Sequence, residues 1–204
     1  MTQTTDQSPN GLNADLRRKL RNRRRHIPES MRTALDEAIR QNILQLIKEK
    51  EVESIAVFWP FDGEPDTIPL YKELLALGKK IALPVVSGND DHSMRFLLWD
   101  TDTVLKRNRY GICEPWNSTQ IAVADFDLLL VPVVAYDHRG NRVGMGSGYY
   151  DRHLENLRSS DSPLRLGVAY SMQEIDHIEK NDWDIPLHAI VNEHEWFTFD
   201  DDIN

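Results

Sequence analysis

The sequence predicts a three-layer α/β domain: a mostly parallel central sheet flanked by helices, with a basic helix near its N-terminus. Three observations carry this. Short aliphatic and β-branched runs alternate with segments of helical periodicity, the order that gives βαβ crossovers. The chain has 204 residues, enough for a single domain with a sizeable core. A glycine-rich run, GMGSGYYDR at 144–152, falls between a strand pattern and a helix pattern.

The elements follow in order. Residues 1–12 are polar, lack an apolar segment of signal-peptide type, and are expected to form a disordered tail. Residues 13–204 then make one domain. The stretch LRRKLRNRRR (16–25) carries seven basic side chains in a chain whose net charge is −9. Pro28 can open a helix over roughly 28–50, with Met31, Leu35, Ile39, Ile43, Leu46 and Ile47 as its apolar stripe. SIAVFW (54–59) reads as a strand. TIPLYKELLALG (67–78) reads as a helix closed by Gly78. Strands follow at 80–86 and 94–100. The run 126–134 reads as a buried strand, DHRGN (137–141) as a turn, and DRHLENLR (151–158) as a helix. Strands at 164–170 and 188–193 complete the pattern.

In such sheets ligands gather beyond the carboxyl ends of the strands, so the loops after 59, 86, 136 and 170 are candidates for one site. Gly144, Gly146 and Gly148 alternate in the run that opens the last helix. They suit a phosphate cradle, because glycine lets backbone amides approach an anion closely. They also suit a plain connection, since the spacing matches neither the P-loop nor the dinucleotide fingerprint. The basic run could bind nucleic acid or a small polyanion, or form a solvated face; the acidic remainder argues against a duplex footprint. The loop PFDGEPD (60–66) groups Asp62, Glu64 and Asp66, which is also what an exposed acidic turn looks like. Trp116 and Trp183 read as packing aromatics. No apolar stretch is long enough to span a membrane. The single cysteine, Cys113, excludes an internal disulfide and suits a reducing cytoplasm.

Taken together, five pieces in order resemble the 5-formyltetrahydrofolate cyclo-ligase family. They are the basic N-terminal stretch, FDGEPDT (61–67), YGICEP (110–115), VPVVAYDHRGNRVGMGSGYYDR (131–152) and NDWDIPLHAIVNE (181–193). The resemblance implies ATP- and Mg²⁺-dependent closure of 5-formyltetrahydrofolate, polyglutamylated or not, to 5,10-methenyltetrahydrofolate, with release of ADP and phosphate. Phosphoryl transfer to the formyl oxygen turns a poor leaving group into a good one, and N10 then attacks the activated carbon. It implies no nucleic-acid or membrane partner and a cytoplasmic monomer.

The resemblance also distributes roles. Asn13, Arg17, Arg21, Arg142, Val143, Gly144, Met145, Gly146, Ser147, Gly148, Tyr149 and Tyr150 would meet ATP. Trp59, Glu64 and Met145 through Tyr149 would meet the folate. Asp151 and Asp184 would hold Mg²⁺. Tyr149 and Arg142 would be catalytic. Asn13 stands where the family carries a lysine in its phosphate motif, and Met145 and Ser147 stand where some members carry cations. A non-catalytic folate- or nucleotide-binding protein on the same fold is the competing reading, supported only by those departures.

Overall fold

In the computed structural model, residues 9–87, 92–158, 160 and 162–199 are described, with side chains from residue 14 onward. The first helix, α1 (Pro9–Arg25), starts four residues inside the expected tail; residues 1–8 lie outside the described residues. A short turn then leads into α2 (Glu29–Glu49). Pro28 is its N-cap, one place earlier than the expected first helical position. Its stripe buries Ile39, Ile43, Leu46 and Ile47, but Met31 is exposed because it lies in the first turn, beyond the sheet's cover.

The expected strand at 54–59 is shorter: only β1 (Ser54–Ala56) keeps full pairing, and Phe58 and Trp59 leave the sheet for the cleft described below. The helix α3 (Ile68–Ala76) ends as expected. Gly78 takes φ +77°, and the amides of Gly78 and Lys79 bond back to the carbonyls of Leu75 and Leu74. Next come β2 (Lys80–Val86) and β3 (Met94–Trp99). Three short strands that the sequence did not reveal follow: β4 (Leu105–Arg107), β5 (Cys113–Pro115) and β6 (Gln120–Ile121).

The predicted strand at 126–134 resolves into β7 (Leu128–Pro132). The chain then turns into a hairpin of β8 (Ala135–Tyr136) and β9 (Arg142–Val143). Buried Asp137 closes that hairpin by accepting bonds from the amides of Arg139, Asn141 and Ile178. The helix after the glycine run, α4 (Tyr149–Leu154), starts two residues before the expected Asp151 and passes into a 3₁₀ turn at Glu155–Leu157. The last strands are β10 (Leu164–Val168), β11 (Ala189–Val191) and β12 (Trp196–Thr198).

Eight strands form one sheet in the order β12-β11-β10-β7-β1-β2-β3-β6. The five from β11 to β2 run parallel; β12 and β3 pair antiparallel to their neighbours. Period-2 alternation divides the core between the two faces. Leu128 and Leu130 pack with α2 and α3, whereas Leu129 and Val131 pack with Leu154 of α4 and with Ile185 and Leu187. A third, small cluster sets Leu20 of α1 against Val134, Ala135 and Val143 of the hairpin. The chain leaves β1 for β2 on one side and later returns to β7 on the other, so the carboxyl ends of β1 and β7 diverge. That is where an open α/β sheet forms its crevice.

Candidate functional site

A cleft of about 810 Å³ opens at this crevice. It collects side chains from α1, the loop after β1, the ends of β2 and β7, the β4–β5 hairpin, the glycine run, α4 and the loop 181–184. Each element brings its residues there for a local reason.

The glycine run leaves β9 and makes the floor. Gly146 takes φ +103° and Gly148 takes φ +66° as the N-cap of α4, conformations that favour glycine. A Cβ on Gly146 would stand 3.4 Å from the guanidinium carbon of Arg17, an ordinary contact, so the demand for glycine there is conformational. Gly144 differs: its φ is not positive, and a Cβ there would meet only Arg142 Nη1 at 3.9 Å. The loop is pinned from both sides. Arg17 Nε donates to the Gly144 carbonyl at 2.8 Å, and Arg152 Nη1 donates to the Ser147 carbonyl at 2.6 Å. Burial lowers the Arg17 pKa, and neighbouring Arg21 lowers it further.

Arg142, Asp151 and Asp184 gather at the α4 side of the cleft. Arg142 Nη2 donates to Asp151 Oδ1 at 2.6 Å, with 6% and 17% of the two side chains exposed. The same oxygen accepts the Ile185 amide at 3.0 Å, which ties the segment carrying Asp184 to α4. Asp184 Oδ2 accepts the Asn181 amide at 2.8 Å and so closes its own turn. Among the described residues no group of three or more His, Cys, Asp or Glu side chains could hold a metal by themselves. Two carboxylates still suit a hard cation whose other ligands are phosphate and water.

Trp59 and Glu64 enter the cleft from the segment after β1, and Tyr149 and Tyr150 from the first turn of α4. Trp59 packs edge-on against Trp99, with ring centroids 6.3 Å apart. Tyr149 faces Arg109 and Tyr110 from the β4–β5 hairpin, and burial raises its pKa. The Tyr150 hydroxyl is buried among the cleft residues and accepts or donates no bond there; burial first, then the nearby Glu64 charge, push its pKa up. Glu64 is 8% exposed; Oε2 accepts the Phe61 amide at 3.0 Å, and burial pushes its pKa up to about 7 against the opposing pull of Arg24.

Loop 60–66 is therefore not an exposed acidic turn. Asp62, with 5% of its side chain exposed, accepts bonds from Arg21 at 2.6 Å, from Arg24 and from Arg25. Burial works to raise its pKa, but the bonds from Arg21 and Arg25 outweigh that and leave it lowered. Arg21 lines the cleft beside Arg17 but spends its Nε on Asp62. The sequence reading passed over Arg24, which is fully buried and donates to the Asp62 and Val133 carbonyls at 3.0 and 3.2 Å. Its signal was the spacing: residues 17, 20, 21 and 24 fall on one helical face at i, i+3, i+4 and i+7.

Val143, Met145, Ser147 and Gly144 all line the cleft, as do Arg17, Arg21 and the residues just described. The Asn13 side chain lies outside the described residues. Trp183 is 63% exposed and lines the cleft, not packed in a core: it lies in the turn that Asp184 closes on Asn181, and its side chain is left to the solvent. Trp116 is also exposed, with the Lys106 ammonium 3.4 Å over its ring.

Residues 10–193 match the model of the 5-formyltetrahydrofolate cyclo-ligase family. A Haemophilus influenzae protein named 5-formyltetrahydrofolate cyclo-ligase is 35% identical over 187 residues, covering 88% of this chain and 99% of its own. An Escherichia coli protein of that name is 37% identical over 140 residues, covering 68% of this chain and 76% of its own. The NMR structure of Aquifex aeolicus 5,10-methenyltetrahydrofolate synthetase superposes with a TM-score of 0.81 at 32% identity, over 95% of each chain. No described helix is long and apolar enough to cross a membrane.

Proposed function

The chain belongs to the 5-formyltetrahydrofolate cyclo-ligase family, and from that premise we propose that it closes 5-formyltetrahydrofolate to 5,10-methenyltetrahydrofolate at the expense of ATP, with Mg²⁺, as a cytoplasmic monomer. One observation carries the reading: a single cleft gathers a cation-lined glycine loop with two carboxylates and, facing it, a buried carboxylate among aromatic rings. The first half suits a metal-bound polyphosphate and the second a flat, hydrogen-bonding heterocycle.

Arg17, Arg142 and the backbone of Gly144–Gly148 would hold the phosphates, and Asp151 and Asp184 the Mg²⁺. Bound Mg-ATP supplies the phosphoryl group that makes the formyl oxygen a competent leaving group. The chain's own work is positioning. Gly146 leaves room for the phosphates and Arg17 to share one spot. Arg142, freed from Asp151, neutralises developing negative charge in a low-dielectric wall. Trp59 and Tyr149 sandwich the heterocycle so that N10 and the formyl carbon meet in one geometry. Glu64, when ionised, accepts from the ring N–H groups. Closing the cleft with ligand expels water, which protects the activated formyl group from hydrolysis.

The test is the absorbance of methenyltetrahydrofolate on mixing protein, 5-formyltetrahydrofolate and ATP, with and without Mg²⁺. Product only in the complete mixture is expected. Binding of both ligands without product would favour the non-catalytic reading.

A further inference from the structure

Arg24 has an unusual position. Its side chain is fully buried, yet it reaches three parts of the cleft wall. Nε donates to the Asp62 carbonyl in the loop after β1, Nη1 donates to the Val133 carbonyl just past β7, and Nη2 lies 3.5 Å from Glu64 Oε1 and 3.9 Å from Met145 Sδ. A buried cation persists only when its charge and its N–H groups are both answered. Here two backbone carbonyls answer the N–H groups, and the carboxylates of Asp62 and Glu64 answer the charge. The two carboxylates are not equivalent. Asp62 keeps Arg21 and Arg25 as further partners, whereas Arg24 is the cation bonded to Glu64.

We propose that Arg24 is a positioning residue for the substrate-side carboxylate: its guanidinium offsets part of what burial costs the Glu64 carboxylate and fixes loop 60–66 against the end of β7. The planar fork of arginine is needed, because a lysine offers one point charge and cannot span the three directions. The groups facing Glu64 are few. Arg24 and Arg21 come from α1, Asp62 from its own loop, Tyr71 from α3 and Tyr150 from α4. Arg24 contributes the largest pull toward the ionised form, against burial. Without it, Glu64 would titrate higher still, present a donor where the ring N–H groups need an acceptor over more of the neutral range, and lose its tie to β7.

The inference rests on the proposed function only for what Glu64 receives; the ionisation itself can be read without turnover. The experiment is a carboxyl-carbon NMR titration of Glu64 in the wild type, Arg24→Gln and Arg24→Lys. Removal of an opposite charge at this range raises a carboxyl by about 1–3 pH units. A midpoint at least about one unit higher in Arg24→Gln, with Arg24→Lys in between, is expected. An unmoved midpoint overturns the proposal. Should Arg24→Gln fail to fold, the pair Arg24→Gln with Glu64→Gln decides: recovery of a folded protein supports the charge pairing, and no recovery overturns it. Where the wild type turns over, the pH at which KM for 5-formyltetrahydrofolate improves should move with the titration midpoint while kcat stays near the wild-type value. A wild type that titrates as described but makes no product would sink the function and leave the Arg24–Glu64 pairing standing.

Discussion

At the scale of single residues, the glycine run separates demands that its spacing presents as equal. Gly146 and Gly148 need their conformations; Gly144 does not. Gly144→Ala should therefore melt within about 0.5 kcal/mol of the parent, whereas Gly146→Ala should lose about 1 kcal/mol or more, since a side chain resists φ +103°. Chemical denaturation of the two variants checks this, and equal losses would contradict it. Glu64 makes a pH prediction. Its folded pKa, about 7, lies above the usual carboxylate value. The native state then binds more protons than the unfolded one between those pH values. Stability attached to this group is full below about 4.5 and declines as pH rises through about 7, by about 3 kcal/mol at most. Glu64→Gln should remove that decline and also weaken folate binding, with ATP affinity little changed. Denaturation at pH 5 and pH 8 gives the slope, and a slope that survives the substitution would assign it elsewhere. None of this was legible in FDGEPDT alone. Burial is decided by what packs over a loop, and Arg24 sits 40 residues away from Glu64 in the chain.

At the scale of elements, legibility followed length. β2 spans its predicted residues because six consecutive apolar positions, 81–86, follow shortly after a glycine stop, and α2 matches within one residue because its stripe repeats over several turns. β4, β5, β6, β8 and β9 have two or three residues each, too few for a period to show, and β8 directly follows an apolar run that read as one strand. α1 carries the sharpest test. Arg17 is on the glycine loop, while Arg23 is exposed. Arg17→Ala should raise the ATP concentration needed for half-maximal rate by about tenfold, the effect of losing one charged hydrogen bond of about 1.5 kcal/mol. Arg23→Ala should leave it unchanged. The pairing of Arg21 with Asp62 revises the simple expectation that residues 17 and 21 act alike: Arg21→Ala should disturb loop 60–66, and with it folate affinity, more than ATP affinity. Titrating each ligand against the three variants separates these outcomes.

At the scale of the whole molecule, the sheet and its two main clusters form without α1, which contributes only Leu20, with Leu16 beside it, to the small third cluster. Removing residues 1–25 should thus leave a cooperative unfolding transition at lower temperature, but abolish the rise in melting temperature on adding Mg-ATP with 5-formyltetrahydrofolate. A rise of the usual size in the truncated protein would mean that α1 is dispensable to the site. The strand order made the crevice predictable, since the divergence of β1 and β7 follows from alternation of strands and helices; what α1 covers did not follow, because nothing in a basic run says which carboxylates it will find. The contact between Arg142 and Asp151 has a consequence of its own. In the free protein the cation proposed for phosphate and the carboxylate proposed for metal are paired with each other. A metal-free nucleotide would win Arg142 only by leaving Asp151 without its cation, and a lone divalent ion would win Asp151 only by leaving Arg142 without its carboxylate. On the proposed roles the complex of the two would answer both side chains at once, so the cleft would act as a coincidence detector that favours nucleotide and metal together over either alone.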